Sequence, residues 1–211
     1  MPVCQLHAKP RKLPSKPPQA APEPNAPPNA PPTPATPAVP APAPRGSPPK
    51  TFTMIGDSLA VGTQPYLPSL LPGFKVTTNA QTGRPLATGM QILNTTPVSG
   101  PTALAFSLFT NDDPSHVSQL ESAVRTSVSR AGASGCAIWA TIVRPPVNGV
   151  SYAAANRKLA QLAGQLPRLR IVPWASAVAS HPSWVGSDGV HSTPTGYKAR
   201  AQMYADAAKS C

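Results

Sequence analysis

No stretch of this sequence approaches the roughly 18–20 consecutive apolar residues that a membrane-spanning helix requires, so the reading excludes a membrane span. Acidic residues are also scarce. Seven Asp and Glu face eighteen Lys and Arg in 211 residues, a formal net charge of +11. The basic residues are scattered, with only Arg157-Lys158 and the pair Arg168 and Arg170 close together in the C-terminal three quarters. No aromatic-interleaved basic motif accompanies them, which argues against a nucleic-acid module. Histidine and cysteine are few, and no His or Cys cluster supports Asp112-Asp113 as a metal pair, so no metal or organic cofactor is expected.

Residues 1–50 lack every aromatic side chain and hold one acidic residue, Glu23, yet carry 18 of the 31 prolines. Such a composition cannot bury enough apolar surface to offset the entropy of ordering. It predicts a disordered, polyproline-II-biased tether that reaches on the order of 140 Å when extended. Its six Lys and Arg give it a basic character suited to cell-wall association. The segment also lacks the apolar core of a signal peptide. A proline-rich tether before a compact domain is nonetheless the layout of an exported protein. An extracellular or cell-envelope location is therefore expected, with the export signal upstream of this sequence. Cys4 is poorly placed for lipidation behind Pro2-Val3.

Residues 51–211 contain all three Trp, all four Tyr and all four Phe, enough for one domain with its own core. Strand-like and helix-like patterns alternate along it. Thr51–Ile55, Phe74–Thr78, Ala103–Leu108, Cys136–Val143 and Leu169–Val172 read as five strands. Helical spacing follows each of the first four, with Pro65 and Pro68 bending or breaking the first helix. Thr193-Pro194 forms an N-cap and first-turn proline opening a last helix through Ala208. This alternation predicts an α/β fold, an open parallel sheet with helices on both sides, whose function gathers at the strand C-terminal ends.

Cys136 opens the fourth strand, at the sheet's N-terminal edge, and the last helix should run back to that edge and carry Cys211 there. The two thiols either form a disulfide, which implies an oxidising compartment, or remain two free or buried cysteines.

The polar candidates fall at strand ends. Gly56-Asp57-Ser58-Leu59 follows the first strand, Gly83 the second, Asn111 the third, and Asp188-Gly-Val-His191 the fifth. Together they meet the requirements of acyl transfer. Ser58 is the candidate nucleophile, His191 its base and Asp188 the carboxylate on the other ring nitrogen. The backbone N–H groups of Ser58 and Gly83 and the Asn111 amide are the candidate oxyanion donors. Arg84, Phe109, Arg144 and Trp184 are candidate substrate contacts.

In these four blocks, taken in order, the chain resembles the GDSL/SGNH hydrolase family. The resemblance implies a flavodoxin-like three-layer α/β/α fold with a five-stranded parallel sheet over residues 51–211. It also implies a serine esterase acting on small acyl esters or on O-acetyl groups of glycans. A cell-wall or polysaccharide O-acetyltransferase and a non-catalytic glycan-binding relative are the alternatives. One departure stands out. Phe109 occupies the place where the family's third block has glycine, and a bulky residue adopts positive φ only at a cost. Phe109 is expected either to reshape the loop bearing Asn111 or to wall the acyl pocket.

Overall fold

A computed structural model describes residues 50–211; the expectations for the tether at 1–49, including Cys4, lie outside the described residues. Five strands make one sheet: β1 (Lys50–Gly56), β2 (Phe74–Ala80), β3 (Thr102–Ser107), β4 (Cys136–Ala140) and β5 (Leu169–Val172), in the order β2-β1-β3-β4-β5. All four pairings are parallel, in a register that aligns Gly56 with Ala80 and with Ser107. This is the flavodoxin-like strand order, and the strand C-termini share one edge.

Burial follows the sequence pattern. Strands β3 and β4 are buried at every position, as suits strands covered on both faces. Edge strand β2 instead alternates. Ile55, Leu104, Phe106, Ala137 and Trp139 face one side, against α3 (Leu86–Thr95), α4 (Val117–Ala131) and α5 (Ala153–Gln165). Phe52, Met54, Ala105 and Ile138 face the other, against α1 (Ser58–Thr63), α2 (Leu67–Leu70), α6 (Trp174–Ser180) and α7 (Pro194–Lys209). The sheet is thus the middle of three layers.

The prolines break the first helix as expected. Between α1 and α2 lies a single 3-10 turn, Gln64–Tyr66, with Pro65 inside it. Thr193 caps α7, its side chain accepting from Gly196 N–H at 3.3 Å, with Pro194 in the first turn. Strand β4 stops at Ala140, short of the expected Val143, because its outer neighbour β5 ends at Val172, the partner of Ala140. Helix α6 is an element the sequence pattern missed.

Cys136 and Cys211 are joined by a disulfide, with Cα atoms 5.8 Å apart across a sequence separation of 75. It ties the end of α7 to the sheet edge opposite the one that bears Ser58. Among the described residues no helix is long and apolar enough to cross a membrane.

Candidate active site

Ser58 is the first residue of α1, two residues beyond the end of β1. At that position its backbone N–H has no acceptor within the helix. Asp57, fully buried, caps the helix by accepting the Leu59 N–H at 3.0 Å. From the opposite end of the domain, His191 Nε2 lies 2.9 Å from Ser58 Oγ, and His191 Nδ1 lies 2.6 Å from Asp188 Oδ2. Three residues separated by up to 133 positions therefore form one hydrogen-bonded line. The other Asp188 oxygen accepts the N–H groups of Val190 (2.9 Å) and His191 (3.0 Å). The His191 contact, reinforced by these two backbone donors, holds the Asp188 carboxyl down at about 2.

The segment carrying Asp188 and His191 is a small hairpin. Val185 bridges Ser192, Gly186 N–H donates to the His191 carbonyl at 2.8 Å, and Thr193 N–H donates to the Trp184 carbonyl at 2.9 Å. Gly196, in the first turn of α7, lets that hairpin dock. A Cβ there would stand 2.0 Å from the Trp184 carbonyl oxygen.

The candidate oxyanion donors come from three loops. Gly83 adopts φ +72°, the left-handed region that favours glycine. Asn111 Nδ2 lies 3.3 Å from the Arg84 carbonyl and 3.5 Å from Asp57 Oδ2. Its Oδ1 is 3.5 Å from an Arg144 guanidinium nitrogen, which also donates to the Thr110 carbonyl. The amide is thereby oriented nitrogen-inward. The site is open, with the His191 and Asp188 side chains 49% and 50% exposed.

Neither a protein-family model nor a curated protein sequence matches the chain. Solved structures do. The C-terminal catalytic domain of peptidoglycan O-acetyltransferase A from Streptococcus pneumoniae aligns with TM-score 0.58 at 23% identity, covering 78% of this chain and 93% of that one. A lipolytic G-D-S-L family protein from Veillonella parvula aligns with TM-score 0.61 at 14% identity, covering 74% and 97%. A lipase/acylhydrolase from Enterococcus faecalis aligns with TM-score 0.53 at 16% identity, covering 74% and 94%. This chain has the GDSL/SGNH hydrolase fold.

Within that SGNH fold the four accessory candidates separate. Phe109 keeps the left-handed backbone, φ +75°, and so leaves the loop's path as a glycine would. Its ring is fully buried in the core under α4 and α5 and meets Tyr152 edge to face. With no exposed surface the ring walls no acyl pocket, which corrects that expectation. Arg84 is also corrected. Only 4% exposed, it directs its guanidinium at the Gly56 carbonyl (3.0 Å), the Asn79 side-chain oxygen (2.8 Å) and the Asn79 carbonyl. It fastens the ends of β1 and β2. Trp184 stacks with Trp174 at 6.0 Å and with His181 at 4.1 Å. Of the four side chains, Arg144 alone reaches a candidate donor, the Asn111 amide.

Sequence reasoning did not find the residues behind the Asn111 loop. The Tyr152 hydroxyl lies 3.1 Å from the Thr110 carbonyl and 2.8 Å from that of Asp112. The Asp112 carboxylate accepts the Leu86 N–H at 2.9 and 3.1 Å, capping α3 from outside. Asn156 grips both the N–H and the carbonyl of Ile142, steadying the strand exit that leads to Arg144. Arg200 was missed too, although its position gave a signal: a charge on the same helical stripe as Tyr204 and Ala208, both buried.

Proposed function

We propose that residues 51–211 are the catalytic domain of a serine hydrolase that cleaves small acyl esters, with residues 1–50 as its tether. The observation that carries this reading is the continuous Ser58–His191–Asp188 hydrogen-bonded line. In the proposed reaction Ser58 Oγ attacks the ester carbonyl and its proton passes to His191 Nε2. Asp188 stabilises the imidazolium through Nδ1–H. The N–H groups of Ser58 and Gly83 and the Asn111 amide receive the oxyanion. Collapse breaks the ester C–O bond, and His191 returns the proton to the departing alkoxide. Water, deprotonated by His191, then releases the acid from the acyl-enzyme.

The openness of the triad supports a bulky alcohol half, such as an O-acetylated glycan. A half-exposed imidazole suits an ester presented on a polymer better than a small molecule needing enclosure. A second reading, transfer of the acyl group to a sugar hydroxyl in place of water, is favoured by the likeness to the peptidoglycan O-acetyltransferase domain. The disulfide fits an extracellular or envelope location.

The test is turnover of p-nitrophenyl acetate by the full chain together with labelling by a fluorophosphonate. Both should vanish in Ser58→Ala, and activity that survives the substitution refutes the reading. Products formed with an added glycan acceptor distinguish hydrolysis from transfer.

A further inference from the structure

Behind the nucleophile lies a buried charge relay that the triad does not use. Arg200, on α7, is 2% exposed, and its guanidinium carbon sits 5.1 Å from the Trp174 ring and 5.5 Å from the Tyr204 ring. One guanidinium nitrogen donates to Ser107 Oγ at 3.1 Å, while Nε and Nη1 have no protein partner. Arginine can only donate, so the Ser107 hydroxyl must turn its own hydrogen to Asp57 Oδ1, 3.2 Å away. That same oxygen accepts the Leu59 N–H, and the second Asp57 oxygen faces the Asn111 amide. Asp57 is therefore the junction between the helix that presents Ser58 and the amide opposite it.

A carboxylate at this junction poses a difficulty. Its charge lies close behind the point where an oxyanion would form, and in a low-dielectric interior like charges repel strongly. A buried cation paired to it through one hydroxyl removes that opposition while leaving the acceptor oxygens in place.

We propose that Arg200 is a positioning residue for the oxyanion site: through Ser107 it holds Asp57 as a charged acceptor for Leu59 and Asn111 and offsets its field at Ser58. The inference rests on the serine-hydrolase reading above. Burial pushes the Asp57 carboxyl above the usual range, and Arg200 is the strongest influence in the other direction. That balance fits a cation kept to preserve the carboxylate.

The experiment measures kcat and KM for p-nitrophenyl acetate in the full chain. Arg200→Met should lower kcat about 10- to 100-fold, the scale seen when groups that orient active residues are removed, with KM nearly unchanged. The deciding comparison is Arg200→Lys against Arg200→Met: a retained cation should return kcat part of the way to the wild-type value at unchanged KM. A lysine variant no better than Arg200→Met overturns the proposal. If Arg200→Met fails to fold, Ser107→Ala carries the test. A severalfold fall in kcat at unchanged KM supports the relay, and an unchanged kcat overturns it. Wild-type protein that neither turns over the ester nor reacts with a fluorophosphonate overturns the hydrolase reading, and this inference with it. That result is distinct from any failure confined to the variants.

Discussion

Phe109 and Tyr152 meet edge to face, ring centroids 6.2 Å apart at 87°, and that contact accompanies a left-handed backbone at Phe109, φ +75°. A backbone conformation that disfavours side chains by about 1–2 kcal/mol is kept where a buried ring compensates. The ordinary order of core truncations should then invert. Phe109→Gly loses the ring but not the backbone preference, whereas Phe109→Ala loses the ring and keeps the strain. Both should be destabilised by several kcal/mol, Ala more than Gly by about 1 kcal/mol, as urea denaturation would measure. Equal or reversed stabilities would show that the backbone at 109 relaxes.

Asn111→Ala should lower kcat by roughly 10²–10³, the cost of one oxyanion donor. Arg144→Ala provides the finer test. Its guanidinium reaches both the Thr110 carbonyl and Asn111 Oδ1. If it acts by orienting the amide, kcat should fall about tenfold while KM stays put. A rise in KM alone would make Arg144 a direct substrate contact.

The Asp188 carboxyl, held at about 2, lies below its ordinary value near 3.9. The sign follows from its preference for the charged form when folded. Its contribution is complete above the ordinary carboxylate range and is lost as pH falls through about 2. Carbon-13 titration of the side chain should find Asp188 still ionised near pH 3. A midpoint close to 4 would mean that the His191 contact is not maintained in solution.

Reducing the Cys136–Cys211 bond should lower stability by up to about 4 kcal/mol, the chain-entropy value for a loop of this size. Turnover below the unfolding temperature should be unaffected, since the bond lies at the sheet edge away from Ser58. A loss of kcat on reduction, with the fold intact by circular dichroism, would show that the end of α7 communicates with its beginning.

The sheet and the strand-end residues were legible because each has a local cause. Strands covered on both faces are written as unbroken apolar runs, and Gly83 marks a positive φ. The Thr193-Pro194 cap announces α7. What the sequence concealed depends on three-dimensional partners. Arg84, beside Gly83, was expected to contact substrate, but Gly56 and Asn79 supply enough acceptors to draw it inside. Phe109 broke a local backbone rule that a distant tyrosine ring compensates. Helix α6, Trp174–Ser180, has too few residues and too many Ala and Ser to display an apolar period. Arg200 joins Ser107 across 93 positions, a link no local pattern encodes.

The hairpin that carries Asp188 and His191 has a kinetic meaning. Because the bridge between Val185 and Ser192 and the bonds inside it fix Asp188 and His191 to one another, the two travel as one piece. Under the proposed reaction, a displacement of the hairpin changes the distance from His191 to Ser58 without changing the pairing of Asp188 with His191.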